Sequence, residues 1–184
     1  MGCYIHCITQ SRREKYVEEL KRHIKLDIIG KCRDSSVCKW RTNCLDVFKK
    51  YKFYLSFENA FCTDYIAEKF WPRMEEGIVP IVLGGADYKA YLPAHFYIDV
   101  RDFASPKTLA EYLLKLDNND NLYNKYFVCR QDYTCHPGMP SNDLLCDICR
   151  FMNDNLNKVN IIPDVNTFWS RDDCLSRETY YGVL

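Results

Sequence analysis

This sequence lacks a charge of either sign in excess. Its 25 Lys and Arg balance its 25 Asp and Glu. The basic residues are scattered, which excludes a nucleic-acid surface and an anionic membrane partner as the basis of function. No apolar run approaches the roughly 20 residues of a spanning helix. The first ten residues lack the basic–apolar–small pattern of a signal peptide. Zinc spacing is also lacking. Cys32, Cys38 and Cys44 lie six apart, and Cys146-x-x-Cys149 has no second Cys-x-x-Cys or His-x-His to complete a site.

What is present is enough apolar matter for one domain. The chain has 184 residues and is 47% hydrophobic, so it can bury a real core. It also has eleven cysteines, a high count. Cytosolic chains use many cysteines for metal or redox work, and chains in oxidising compartments use them for disulfides. Spacing favours disulfides at Cys32, Cys38 and Cys44. Cys146 and Cys149 are open to a redox pair, half a metal site or disulfides.

The pattern along the chain is α/β. Residues 3–9 read as a strand, Ser11 with Glu14 as a capping box, and Tyr16, Val17, Leu20 and Ile24 as a helical stripe leading to a strand at 26–29. Phe53–Phe57 and Ile78–Leu83 are apolar runs suited to buried strands, the second closed by Gly84-Gly85. Between them Ile66, Phe70 and Met74 recur every four residues, which predicts a helix over 64–76 with Asp64 as its N-cap. A short helix or turn follows at 87–92 and a strand at 96–100. Helices follow at 106–116, opened by Ser105-Pro106, at 122–130 and at 144–152.

A strand–helix–strand crossover places loop residues at the carboxyl edge, where such sheets bind ligands. Glu58 and Asn59 end one strand there. On the predicted helix Tyr65, Glu68 and Lys69 share a face. A ring, a carboxylate and an ammonium suit a base or ribose and a phosphate; equally, Glu68 and Lys69 suit an ordinary solvated pair. Pro72 strains that helix, because its ring meets the carbonyl of Glu68. The expected outcome is a kink or end near 68–71 with Trp71 extended.

The wording of this stretch is specific. Lys52-Phe-Tyr-Leu-Ser-Phe-Glu-Asn59, Asp64-Tyr-Ile-Ala-Glu-Lys69 and Val79-Pro-Ile-Val-Leu-Gly84 resemble, in order and spacing, the donor-binding signature of the α-1,3-fucosyltransferases. The likeness runs on through Phe96–Lys107, Leu109–Leu113 and Asn124–Phe127. It implies a Rossmann-like parallel sheet with helices on both faces, one half of a two-domain GT-B glycosyltransferase. The donor-binding domain would span 1–155, with 156–184 a tail packed on it through Phe168 and Trp169. The acceptor domain, its general base and the membrane anchor would lie outside this sequence.

The resemblance also implies roles. Arg13, with Arg12 as the alternative, stands where the family has a diphosphate-binding Arg, although Ile5-His6 replaces the family's Ser-Asn. Glu58, Asn59, Tyr65, Glu68 and Lys69 complete the expected donor site. Ala67 stands where the family has Thr, and a proline at position 72 is not typical of it. A Tyr in the 87–92 segment lies near the donor, without a choice between Tyr88 and Tyr91. Cys7, Cys32, Cys38, Cys44 and Cys62 match the core-type branch, and Cys146 and Cys149 are implied as disulfide-formers, in some members to the other domain. The implied activity is inverting transfer of fucose from GDP-fucose to N-acetylglucosamine of an N-glycan or similar acceptor. It would occur in the Golgi lumen, with neither metal nor cofactor required. The alternatives are a lumenal nucleotide-sugar-binding fragment without transferase activity and, more remotely, a Cys-rich structural protein.

Overall fold

The computed structural model describes residues 2–4, 13–29, 48–128, 130, 142–159, 161–168 and 174. The expectations for Ser11, for Arg12, for Cys7, Cys32, Cys38 and Cys44, and for Trp169 lie outside these residues.

Among the described residues five strands are all paired in parallel. β1 (Gly2–Tyr4) pairs with β2 (Asp27–Ile29), and β3 (Phe53–Phe57) with β4 (Val79–Leu83), which also carries the short β5 (Ile98–Asp99). β1 runs alongside β3, so the spatial order is β2-β1-β3-β4-β5. The first connection moves one way from β1 and the next returns to its other side. The order therefore reverses between β1 and β3, the place where open α/β sheets bind ligands.

β3 and β4 are buried at every position, because helices cover both faces and alternate side chains enter different cores. On one face Phe53, Leu55 and Phe57 of β3 with Val79, Ile81 and Leu83 of β4 meet α1 (Arg13–Leu20), α4 (Pro106–Asp117) and α5 (Asp120–Val128). On the other face Tyr54 packs with Ile29, Phe48 and Ile78, and Val82 packs with Phe70, Ala86, Tyr88, Leu92 and Phe96. That face is built from the Phe70 turn, α2 (Trp71–Glu75) and α3 (Tyr88–Tyr91). α4 starts where the sequence places it. The Ser105 hydroxyl accepts from the Thr108 amide, the Thr108 hydroxyl accepts from the Ser105 amide, and Pro106 sits in the first turn.

The expected helix over 64–76 does not form, and this corrects the sequence reading. Asp64 has φ +58° and caps nothing; instead its carboxylate accepts from the Tyr91 hydroxyl at 2.8 Å. Residues 65–67 are irregular and 68–70 form a turn. α2 begins only at Trp71, so Pro72 falls in its first turn. There it needs no N–H partner and meets no helical carbonyl four residues back. Trp71 is accordingly helical, not extended. The strand expected at 96–100 shortens to Ile98–Asp99, because Val100–Asp102 turn into a 3-10 helix capped by Asp99.

α6 (Asn142–Asp154) and the described residues after it are largely exposed, and a helical turn, α7 (Val165–Phe168), follows. Cys174 returns to the domain through a disulfide to Cys62, 112 residues earlier. No helix among the described residues is long and apolar enough to cross a membrane.

Candidate functional site

Arg13 is the first residue of α1, yet only 1% of it is exposed. A cation at a helix start opposes the dipole, so it needs acceptors. Its Nη1 donates to the carbonyl of Phe57, the last residue of β3, at 2.7 Å. That bond fixes a positive charge at the strand-order reversal.

Glu58 follows Phe57. Its amide donates to Leu83 O at 2.9 Å, which holds it against the end of β4. Its side chain is wholly buried, and Oε1 accepts from the amide of Ala67 at 2.8 Å. Burial pushes the carboxyl pKa up and the charge of Glu68 adds to this, while the Ala67 hydrogen bond, Lys69 and Arg13 pull it down; the net direction is up. Glu58 thus sits within the fields of Arg13, Glu68 and Lys69. Asn59, next in the chain, is half-buried, and its Oδ1 takes no hydrogen bond.

The segment from Asn59 to Phe70 forms the wall of the site. It is pinned at five points. Glu58 holds Ala67, and the buried Ser56 hydroxyl donates to Lys69 O at 3.3 Å. Tyr91 holds Asp64, and Cys62 is joined to Cys174. Gly85 allows the last contact: a Cβ there would stand 2.6 Å from the Phe61 carbonyl carbon and 2.7 Å from Cys62 O. These contacts replace the helix that the sequence pattern predicts.

The wall presents the remaining residues. Lys69 is 8% exposed, and its Nζ meets Glu68 Oε1 at 3.3 Å; the Glu68 side chain is 79% exposed. The Tyr65 hydroxyl is pushed up in pKa by burial first and then by Glu58 and Glu68, against Arg13. The charges of Arg13, Glu68 and Lys69 therefore all reach Glu58, and those of Arg13, Glu58 and Glu68 reach Tyr65, although Arg13 and Lys69 lie 56 positions apart in sequence. Tyr65, Glu68 and Lys69 come together on an irregular loop and not on a shared helical face. The cluster offers two buried cations, an aromatic ring at the rim and an exposed carboxylate. That is chemistry for an anionic, ring-bearing ligand.

Sequence reasoning did not single out Ser56 or the Ala67 amide; of the 87–92 segment, Tyr91 holds Asp64 and the Tyr88 hydroxyl lies against Gly84. Neither the pairing of Cys62 with Cys174 nor the close contacts at Gly84 and Gly85 has a local sign in the sequence. Cys146 and Cys149, expected in disulfides, carry free and exposed thiols. Among the described residues no group of three or more His, Cys, Asp or Glu could hold a metal ion.

Residues 3–169 match the family model described as "Glycosyltransferase family 10 (fucosyltransferase) C-term". The chain is 34% identical to Alpha-(1,3)-fucosyltransferase C of Drosophila melanogaster over 167 residues, covering 89% of this chain and 38% of that one. It is 42% identical to Glycoprotein 3-alpha-L-fucosyltransferase A of the same organism over 127 residues, covering 66% and 25% respectively. Alpha-(1,3)-fucosyltransferase 4 of Homo sapiens matches at 35% identity, covering 79% of this chain and 28% of that protein. The fold is that of a crystal structure of an alpha1,3-fucosyltransferase with GDP-fucose, at TM-score 0.68 and 19% identity, over 89% of this chain and 49% of that one. The chain thus spans less than half the length of each of these relatives.

Proposed function

We propose that this chain, which belongs to the fucosyltransferases of glycosyltransferase family 10, forms the GDP-fucose-binding half of an α-1,3-fucosyltransferase. The observation that carries this reading is the convergence of Arg13, Tyr65, Glu68 and Lys69 around the buried Glu58 at the reversal of strand order.

In this proposal the nucleotide lies along the wall from Asn59 to Lys69. Tyr65, Glu68 and Asn59 meet the base and ribose. Lys69 and Arg13 face the diphosphate. Fucose transfer is inverting: an acceptor hydroxyl attacks the anomeric carbon from one side as GDP departs from the other. Negative charge grows on the departing diphosphate, and both cations are already fixed before it appears. Preorganised charge of this kind is the strongest electrostatic device available to a transferase. Charge neutralisation by Arg13 and Lys69 lets the reaction run without a divalent ion.

The acceptor is proposed to be an N-acetylglucosamine of a glycoprotein glycan. Support comes from the relative named Glycoprotein 3-alpha-L-fucosyltransferase A, the most identical of the three described above. The general base is assigned to residues outside this chain, and its loss typically slows transfer by about 10² to 10⁴-fold. The Golgi lumen is the proposed compartment, in keeping with the Cys62–Cys174 disulfide.

Transfer of labelled fucose from GDP-fucose to an N-acetylglucosamine-bearing glycopeptide tests the activity. Product with inverted anomeric configuration supports the transferase reading. GDP binding with no transfer by this chain leaves a nucleotide-sugar-binding module as its function.

A further inference from the structure

Tyr88 opens α3 on the sheet face away from α1, and its side chain is wholly buried. Its ring is gripped from several sides. The Phe70 and Tyr97 rings lie 6.5 Å and 5.5 Å away, and the Arg101 guanidinium stands over it at 5.5 Å. Arg101 is itself fixed, since it donates to both carboxylate oxygens of Asp99 and, at 3.0 Å, to Ala86 O. A ring held this firmly has one direction in which to point its hydroxyl.

That direction is Gly84. A Cβ on Gly84 would lie 2.6 Å from the Tyr88 hydroxyl and 2.9 Å from Cγ of Glu58. The hydroxyl and the Glu58 side chain therefore meet over one α-carbon, and only glycine leaves them room. The Tyr88 hydroxyl and Glu58 Oε2 are both buried, and neither takes a hydrogen bond. Two such groups side by side have a strong incentive to pair. The outermost torsion of a glutamate is soft, so a small adjustment of the carboxylate towards the hydroxyl costs little. Burial foremost, then the charge of Glu58, raises the pKa of the Tyr88 hydroxyl and keeps it a donor.

We propose that Tyr88 is a positioning residue: its hydroxyl donates to Glu58 Oε2 and orients the carboxylate, so that Oε1 holds the Ala67 amide and sets the wall carrying Tyr65, Glu68 and Lys69. The last link, from wall to nucleotide, rests on the donor-binding reading above. The first links do not.

Tyr88→Phe keeps the ring and removes only the oxygen. Amide exchange read by NMR on the ligand-free chain should show Ala67 exchanging about 5- to 10-fold faster. The urea midpoint should fall modestly, as loss of a buried hydrogen bond requires, and core amides of β3 and β4 should change no more than that fall accounts for. In a Glu58→Ala background the same substitution should add nothing at Ala67. The GDP dissociation constant of Tyr88→Phe should rise by about 3- to 10-fold. Unchanged Ala67 exchange in Tyr88→Phe, or an equal acceleration at Ala67 when Glu58 is already Ala, overturns the proposal. If the variant does not fold, the wild-type Tyr88 hydroxyl proton decides: a slowly exchanging, downfield signal supports the bond, and a signal without that shift overturns it. Faster Ala67 exchange in a chain that binds no GDP upholds the positioning link and defeats the donor-binding reading alone.

Discussion

The carboxylate of Glu58 accepts from the backbone amide of Ala67 at 2.8 Å, across a nine-residue gap in sequence. Everything between them, including Asn59, Cys62, Asp64 and Tyr65, is closed into a loop by that bond. A wholly buried acid at the end of a central strand thus shapes the loop that carries Tyr65, Glu68 and Lys69.

This placement predicts a pH dependence of stability. Glu58 has a folded-state pKa raised above its ordinary value of 4.5, with burial as the main cause. The folded chain therefore holds this proton more tightly than the unfolded chain. Its contribution is fully present below the unfolded pKa and is lost as pH rises through the folded one. Denaturant midpoints measured upwards from about pH 4.5 should fall across that window in the wild type, and Glu58→Gln should flatten that fall. An identical slope in the two proteins would show that Glu58 is not the titrating group.

Pro72 sits in the first turn of α2, where its fixed φ suits the helix. Replacing it by Ala should lower stability by about 0.4–1 kcal/mol, because the unfolded chain gains freedom while no native hydrogen bond is recovered. GDP affinity should not change. A stabilised Pro72→Ala protein in thermal melts would argue for a helix reaching back towards Asp64.

The Cys62–Cys174 disulfide closes 112 residues and holds the loop wall from behind. Replacing both cysteines by Ser should cost about 2–4 kcal/mol in a denaturant titration. Proteolysis should then cut first between Asn59 and Phe70. Cuts confined to other segments would show that the wall is held by its hydrogen bonds alone.

Much of this architecture is legible in the sequence. β3 and β4 announce themselves because consecutive residues, not alternate ones, are apolar, as a strand covered on both faces requires. Ser105-Pro106 marks the start of α4 through local capping chemistry. The wall of the site is legible in content and not in form. Ile66 and Phe70 recur with helical spacing, yet both reach the cluster of Val82, Ala86 and Tyr88 from a non-helical loop. Their spacing records a shared destination, and period alone cannot separate that from a helix face. What overrides the helix is long-range: Glu58, Ser56, Gly85 and Cys174 act on this segment from elsewhere. Cys174 gives no local sign of its partner at all.

If these residues form a guanine-nucleotide site, calorimetric titration of GDP into the wild type and Lys69→Ala will show it. Lys69 supplies a buried ammonium beside Glu58 and Glu68, and charge-assisted hydrogen bonds are worth about 1.5–3 kcal/mol. The wild type should bind GDP saturably and one-to-one, with a loss of roughly 10- to 150-fold in Lys69→Ala. No binding of GDP by a folded wild-type chain, or equal affinity in the two proteins, would contradict it.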